Sequence, residues 1–169
     1  MSHFEQKRGK KKRTIILNIW VYRVLDASRT LRAVESLRIL VVDDSAPFRE
    51  SLHSFFLDHK LWTIVGEAAD GEAAIEMAFR LAPHVIIMDV KMPRINGVEA
   101  TRRIKRFLPG VHVIGVSTQD DTFIKESMKA AGSSHFVTKD CAHTLPDVIA
   151  AMTGCPITTD LMTDPLSMN

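Results

Sequence analysis

Four apolar runs in this chain each end in a polar residue suited to phosphoryl chemistry. Leu37–Val42 leads into Asp43 and Asp44, Val85–Met88 into Asp89, Val111–Val116 into Ser117, and His135–Thr138 into Lys139. In a parallel α/β sheet the carboxyl ends of the strands share one edge, so three carboxylates, a hydroxyl and an ammonium would meet there. Taken singly, these residues say little. An Asp after a strand is often a helix cap, a Ser there a turn residue, and a Lys a solvated charge. Their arrival at one sheet edge makes them a candidate site.

In a sheet of order 2-1-3-4-5 the first and third strands are neighbours, which would bring Asp43, Asp44 and Asp89 together. Like charges at short range raise each other's pKa unless a cation joins them. A hard divalent ion resolves the conflict, and Mg2+ suits two carboxylates plus water and phosphate oxygens. A backbone carbonyl from the loop after Asp89, that of Lys91, would complete the ligand set. Asp89 stands in the middle of the arrangement, and a carboxylate there can attack phosphorus to form an acyl phosphate. Mg2+ and Lys139 would stabilise charge on the phosphoryl oxygens, and Ser117 would hydrogen-bond one of them after transfer.

The elements needed to position these groups are legible from Leu37 onward. A helix begins near Pro47, where a missing N–H costs little, and Phe48, Leu52, Phe55 and Phe56 recur at helical spacing to face the sheet. Trp62–Gly66 reads as a short second strand. Asp70 caps a helix over Glu72–Leu81, which Pro83 stops. His84–Met88 is a continuous apolar run, as in a central parallel strand buried on both sides. Pro93 and Asn96-Gly97 mark a loop. Val98–Phe107 follows as a helix, with Val98, Thr101 and Ile104 inward and Arg102, Arg103, Lys105 and Arg106 outward. Val111–Val116 is the fourth strand and Thr122–Ala131 a helix closed by Gly132. Ser134–Thr138 is the fifth strand and Leu145–Thr153 the last helix. Five strands alternating with five helices call for a parallel sheet with helices on both faces.

Bulk properties set broad bounds. The 169 residues suit one domain with an appendage, and 46% hydrophobic and 25% charged residues mark an ordinary globular chain. A net charge of +2 is too near zero to argue for nucleic acid over the whole molecule. Two cysteines, Cys141 and Cys155, form no C-x-x-C pair, which points to a reduced, cytoplasmic setting. No apolar run reaches the roughly 20 residues needed to span a bilayer. A basic stretch before Ile15–Leu25 has the layout of a secretory leader, but Val24-Leu25-Asp26-Ala27 offers no small-x-small cleavage site. The expected organisation is a basic N-terminal extension over 1–36, flexible or helical, a domain over 37–153 and a short polar tail over 154–169.

Ile39-Leu-Val-Val-Asp-Asp-Ser45, Val85-Ile-Ile-Met-Asp-Val-Lys-Met-Pro93, Asn96-Gly97, Val113-Ile-Gly-Val-Ser117 and Phe136-Val-Thr-Lys139 together carry a family resemblance. From Arg38 to Met152, about two-thirds of the chain, the sequence resembles a receiver domain of a two-component response regulator. Gly66-Glu-Ala-Ala-Asp-Gly71 is most similar to LuxR/NarL-type receivers and to those fused to hybrid histidine kinases. The resemblance implies a flavodoxin-like, doubly wound five-stranded parallel sheet of order 2-1-3-4-5 with five helices. It implies that Asp89 is the phosphoacceptor, served by a histidine kinase or phosphotransfer protein. Asp44 and Asp89 would bind Mg2+ directly, Asp43 through water and Lys91 through its carbonyl. Ser117 would be the switch hydroxyl, Phe136 its aromatic partner, and Lys139 the contact to the phosphoryl group. Lys139-Asp140 departs from the more usual Lys-Pro, Thr118 is larger than the small residue common there, and Lys91 places a cation where many relatives are neutral.

The expected product is a switch that acts on a downstream protein target, with homodimer formation open. Sixteen residues follow Thr153, too few for a helix-turn-helix, so no DNA-binding output is expected in this chain. An aspartyl phosphatase of the haloacid dehalogenase sort would want Asp-x-Asp after the first strand, where this chain has adjacent aspartates. A flavin-binding module would want a phosphate cradle where Asp43 and Asp44 repel one. A phosphorylation-independent interaction domain would not need the full set of acids, hydroxyl and lysine.

Overall fold

The computed structural model describes residues 36–157, and the expectations for 1–35 and for 158–169 lie outside them. Strands β1 (Leu37–Val42), β2 (Trp62–Ala68), β3 (Val85–Asp89), β4 (His112–Ser117) and β5 (His135–Thr138) form one sheet of order β2-β1-β3-β4-β5. All neighbouring pairs are parallel. Helices α1 (Ala46–Phe56), α2 (Gly71–Leu81), α3 (Gly97–Phe107), α4 (Thr122–Ala131) and α5 (Leu145–Thr153) connect or follow the strands, and a 3-10 turn over Lys139–Thr144 leads into α5. This is the expected doubly wound order.

Two cores sandwich the sheet, because successive strand residues point to opposite faces. On one face Leu40, Val42, Ile86, Met88 and Val113 meet α2 through Ala74 and Ala78, α3 through Ala100 and Ile104, and α4 through Met128. On the other, Ile39, Val41, Val85, Ile87, Ile114 and Val116 meet Leu52 and Phe56 of α1 and Leu145 and Ile149 of α5. Every residue of β3 is buried, as its unbroken apolar run requires of a central strand.

Side chains at the helix ends hold the loops that face the carboxyl edge. Asp70 caps α2 by accepting from the N–H groups of Glu72 and Ala73 at 3.0 and 2.9 Å. Asn96 does the same for α3 through Glu99 N–H at 3.0 Å. Asp121 caps α4 through Phe123 and Ile124 N–H at 2.7 and 3.3 Å. Gly132 closes α4 at φ 101°, a left-handed conformation suited to glycine.

Three expectations are corrected. Phe55 does not face the sheet: it is 37% exposed, and its ring and that of Phe56 meet in a T-shaped contact. Position 55 lies one residue before Phe56, about 100° away around the helix, and here Phe56 takes the inward place. Lys105 is not a free outward charge. Its ammonium donates to the carbonyls of Pro109 and Val111 at 2.7 and 2.9 Å and ties the end of α3 to the approach of β4. Strands β3 and β4 each run one residue further than their apolar runs and take in Asp89 and Ser117, because Val90 N–H continues the ladder to the Val116 carbonyl at 3.0 Å.

Candidate functional site

Asp43 is built into its place. Its N–H donates to the Ala68 carbonyl at 3.0 Å, its own carbonyl accepts from Arg49 Nη1 at 2.8 Å, and its Oδ1 accepts from Ser45 N–H at 2.9 Å. Arg49 in turn donates from Nε to Glu67 at 3.1 Å, so the start of α1 and the end of β2 both brace this turn. The side chain of Asp43 is fully buried, while the adjacent Asp44 is exposed. The order of the sheet sets β3 beside β1, and Asp89, 3% exposed, ends β3 next to this turn. Asp43, Asp44 and Asp89 each offer a carboxylate oxygen within 4.8 Å of the others.

Lys139 enters from the end of β5 with its side chain only 16% exposed. Its ammonium lies 2.6 Å from Asp43 Oδ2 and 3.4 Å from Asp89 Oδ1. The contact to Asp43 lies off the hydrogen-bond direction, so that buried oxygen keeps an unfilled acceptor position. Asp89 is pushed up from the usual 3.8 to about 6, chiefly by burial and next by the charge of Asp43. Lys139 pulls it back down through its charge and its hydrogen bond, and Asp44 adds a smaller upward push. One ammonium thus only partly offsets burial and two neighbouring carboxylates.

The donor set fits a hard divalent cation. The oxygens are carboxylates and they converge, and burial first and the charge of Asp43 second hold Asp89 above its ordinary range, a cost that a bound cation would relieve. Lys91, two residues beyond Asp89, is exposed and its side chain donates to Gln119 Oε1 on the loop after β4. The backbone beneath it is drawn tight, since Gly97 N–H donates to the Val90 carbonyl at 3.0 Å. A Cβ on Gly97 would come within 2.0 Å of the Asp89 carbonyl oxygen, so only glycine lets α3 begin this close to the candidate acceptor.

Ser117 is buried at the end of β4, and its hydroxyl accepts from Gln119 N–H at 3.2 Å. In register, Val116 pairs with Asp89, which puts Ser117 one step past the acid. Phe136 pairs with Gly115 across β4 and β5, so Phe136 and Ser117 share one face of the sheet. The ring is half-buried, with Lys125 Nζ 5.7 Å from its centroid. It lines a cavity of about 220 Å³ together with Asp120, Lys125, Val137, Thr138 and Cys141.

The structure therefore gathers Asp43, Asp44, Asp89 and Lys139 tightly, sets Ser117 at the next strand end, and leaves Phe136 two residues back from that edge. Sequence reasoning missed Arg49, Phe48 and Gln119. Arg49 and Phe48 were legible only as members of an amphipathic helix. Gln119 carried no signal, because its partnership with Lys91 depends on two loops meeting in space.

Comparison with known proteins agrees with this fold. The response regulator receiver domain family matches residues 39–151. A protein-glutamate methylesterase/protein-glutamine glutaminase 4 of Myxococcus xanthus is 42% identical over 115 residues, which cover 67% of this chain and 32% of that protein. The response regulator domain of Thermotoga maritima CheB superposes with a TM-score of 0.62 at 34% identity, covering 69% of this chain and 93% of that one. A chain of the CheX-CheY-BeF3-Mg2+ complex from Borrelia burgdorferi gives 0.61 at 26% identity, over 69% and 89%. The chain belongs to the response regulator receiver domain family of two-component signalling proteins. Receiver domains as a family accept phosphoryl groups and bind Mg2+ at an acidic pocket, and in this chain Asp43, Asp44 and Asp89 form an acidic cluster. The chain spans about a third to a half of the length of the curated relatives it matches.

Proposed function

We propose that this protein is a phosphorylation-activated switch whose acceptor is Asp89. The observation that carries the proposal is the convergence of three carboxylates within 4.8 Å, with Lys139 touching both Asp43 and Asp89. Asp89 Oδ attacks the phosphorus of a phosphohistidine on a histidine kinase or phosphotransfer protein. The P–N bond breaks as the P–O bond of the acyl phosphate forms, and the imidazole leaves with its electron pair and takes up a proton. Asp44, Asp89 and the Lys91 carbonyl, with Asp43 beside them, would hold Mg2+, which would supply positive charge to the transferring oxygens. Lys139 neutralises a further oxygen. The protein promotes its own phosphorylation and slow dephosphorylation, and turns over no separate substrate.

The attached group brings nearly two negative charges to the sheet edge. Ser117 donates its hydroxyl to a phosphoryl oxygen and draws its loop inward, and Phe136 turns into the vacated space. The face made by α4, β5 and α5 then presents a different surface to a protein target in the cytoplasm. The receiver domain runs over 37–153 in this assignment, between an N-terminal extension and a short tail. The lead test is Asp89→Asn. Incubation with Mg2+ and acetyl phosphate should label the wild-type protein and leave the variant unlabelled. Undiminished labelling of the variant would refute the assignment of Asp89.

A further inference from the structure

Phe48 lies in the first turn of α1, immediately after Pro47, and its half-buried ring packs against the core on the α1 and α5 side of the sheet. The Lys139 ammonium sits 4.7 Å from the centroid of that ring. The same ammonium is 2.6 Å from Asp43 and 3.4 Å from Asp89. Two carboxylates and one aromatic ring thus surround it, and little of its side chain reaches water.

An aromatic ring carries negative charge on its face, so it attracts a cation without offering a hydrogen bond. The attraction strengthens as the cation loses water. Carboxylates alone cannot fix where the ammonium sits, because Asp43 and Asp89 compete for it and a phosphoryl group would add three more acceptors. The ring adds a restraint that does not compete for those acceptors. It also occupies space from which water would otherwise hydrate the ammonium and weaken its pull on phosphoryl oxygens. A lysine has four rotatable side-chain bonds, and holding it in one place ahead of reaction removes an entropic loss that would otherwise fall on the transfer step.

We propose that Phe48 is a positioning residue for phosphoryl capture, its ring holding the Lys139 ammonium where the oxygens of a group on Asp89 arrive. The inference rests on the assignment of Lys139 made above. The rule is an aromatic face at position 48, so Tyr should serve and an aliphatic side chain of similar bulk should not.

The test is a double-mutant cycle on the full chain, with Phe48→Leu, Phe48→Tyr, Lys139→Met and the Phe48→Leu/Lys139→Met pair. Beryllofluoride with Mg2+ is the probe, and its affinity is measured by calorimetry beside the initial rate of labelling by acetyl phosphate. Phe48→Leu should weaken beryllofluoride binding about three- to tenfold. Phe48→Tyr should restore it to within about twofold, and Phe48→Leu should change nothing once Lys139 is Met. Urea midpoints monitor folding, and Phe48→Met replaces the Leu variant should Leu lower the midpoint. An unchanged affinity in Phe48→Leu, or an equal loss in both lysine backgrounds, overturns the role of Phe48 while leaving Lys139 in place. An unchanged affinity in Lys139→Met overturns both, and identifies the lysine assignment as the one that failed.

Discussion

Asp89→Asn should make the metal-free protein more stable, although it destroys the acceptor. Asp89 is 3% exposed, sits beside the buried Asp43, and is raised from 3.8 to about 6 by burial first and by Asp43 second. A carboxyl with a higher pKa in the folded state binds its proton more tightly there than in the unfolded chain. Folding stability therefore falls as pH rises from about 3.8 to about 6, and the full penalty is present above that window. Two pKa units correspond to about 3 kcal/mol. Asparagine has the shape of the protonated acid and cannot ionise, so it escapes the penalty. Urea denaturation in a chelator at pH 7.5 should place the variant up to about 3 kcal/mol above the wild type, a midpoint shift of about 1–2 M. At pH 4 the gap should nearly close, since Asp89 in the folded wild type is then in the neutral form that asparagine imitates. Added Mg2+ should raise the wild type more than the variant and narrow the gap at pH 7.5. A variant no more stable than the wild type at pH 7.5, or a difference that ignores pH, would refute the account of strain at this site.

Other expectations follow from individual contacts. Gly97→Ala should destabilise the fold by about 3 kcal/mol or more in a urea titration, because its Cβ would press on the Asp89 carbonyl, which is backbone and cannot step aside. Asp70→Ala should cost about 1–2 kcal/mol by thermal melting, since it removes a cap that accepts two N–H groups at α2 and a partner of Arg94. Asp70→Asn should cost less than about 0.5 kcal/mol because it keeps the cap. Ser117→Ala should still be labelled by acetyl phosphate. Hydrogen exchange over His135–Thr138, however, should no longer differ between labelled and unlabelled protein.

Much of the fold was written in local patterns. The apolar run of β3 declared its central place, Asp70 and Gly132 marked helix ends, and the alternation of elements set the doubly wound plan. The acids were legible because strand ends in a parallel sheet must share an edge. Contacts whose partners are far apart in the chain left no trace. Phe48 reads as a core residue until β5 delivers Lys139 to its ring, and Arg49 reads as a surface charge until the turn beneath it exposes the Asp43 carbonyl. The 3-10 turn over Lys139–Thr144 was also missed, since six mostly polar residues carry no apolar period. Phe55 misled because helical spacing admits several phases and only packing selects one.

The bracing of Asp43 makes the site mechanically lopsided. On the β1 side, backbone and buried side-chain bonds from Ala68, Ser45 and Arg49 clamp the acid turn as a fixed jaw. On the β4 side, the exposed residues Thr118–Asp121 are tied by surface partners, Lys91 to Gln119 and Lys125 to Asp120, which yield at small energetic cost. In the proposed switch, a charge arriving between two such jaws would move the loose one, sending the signal out through β4 and β5 with α1 as a stationary anvil.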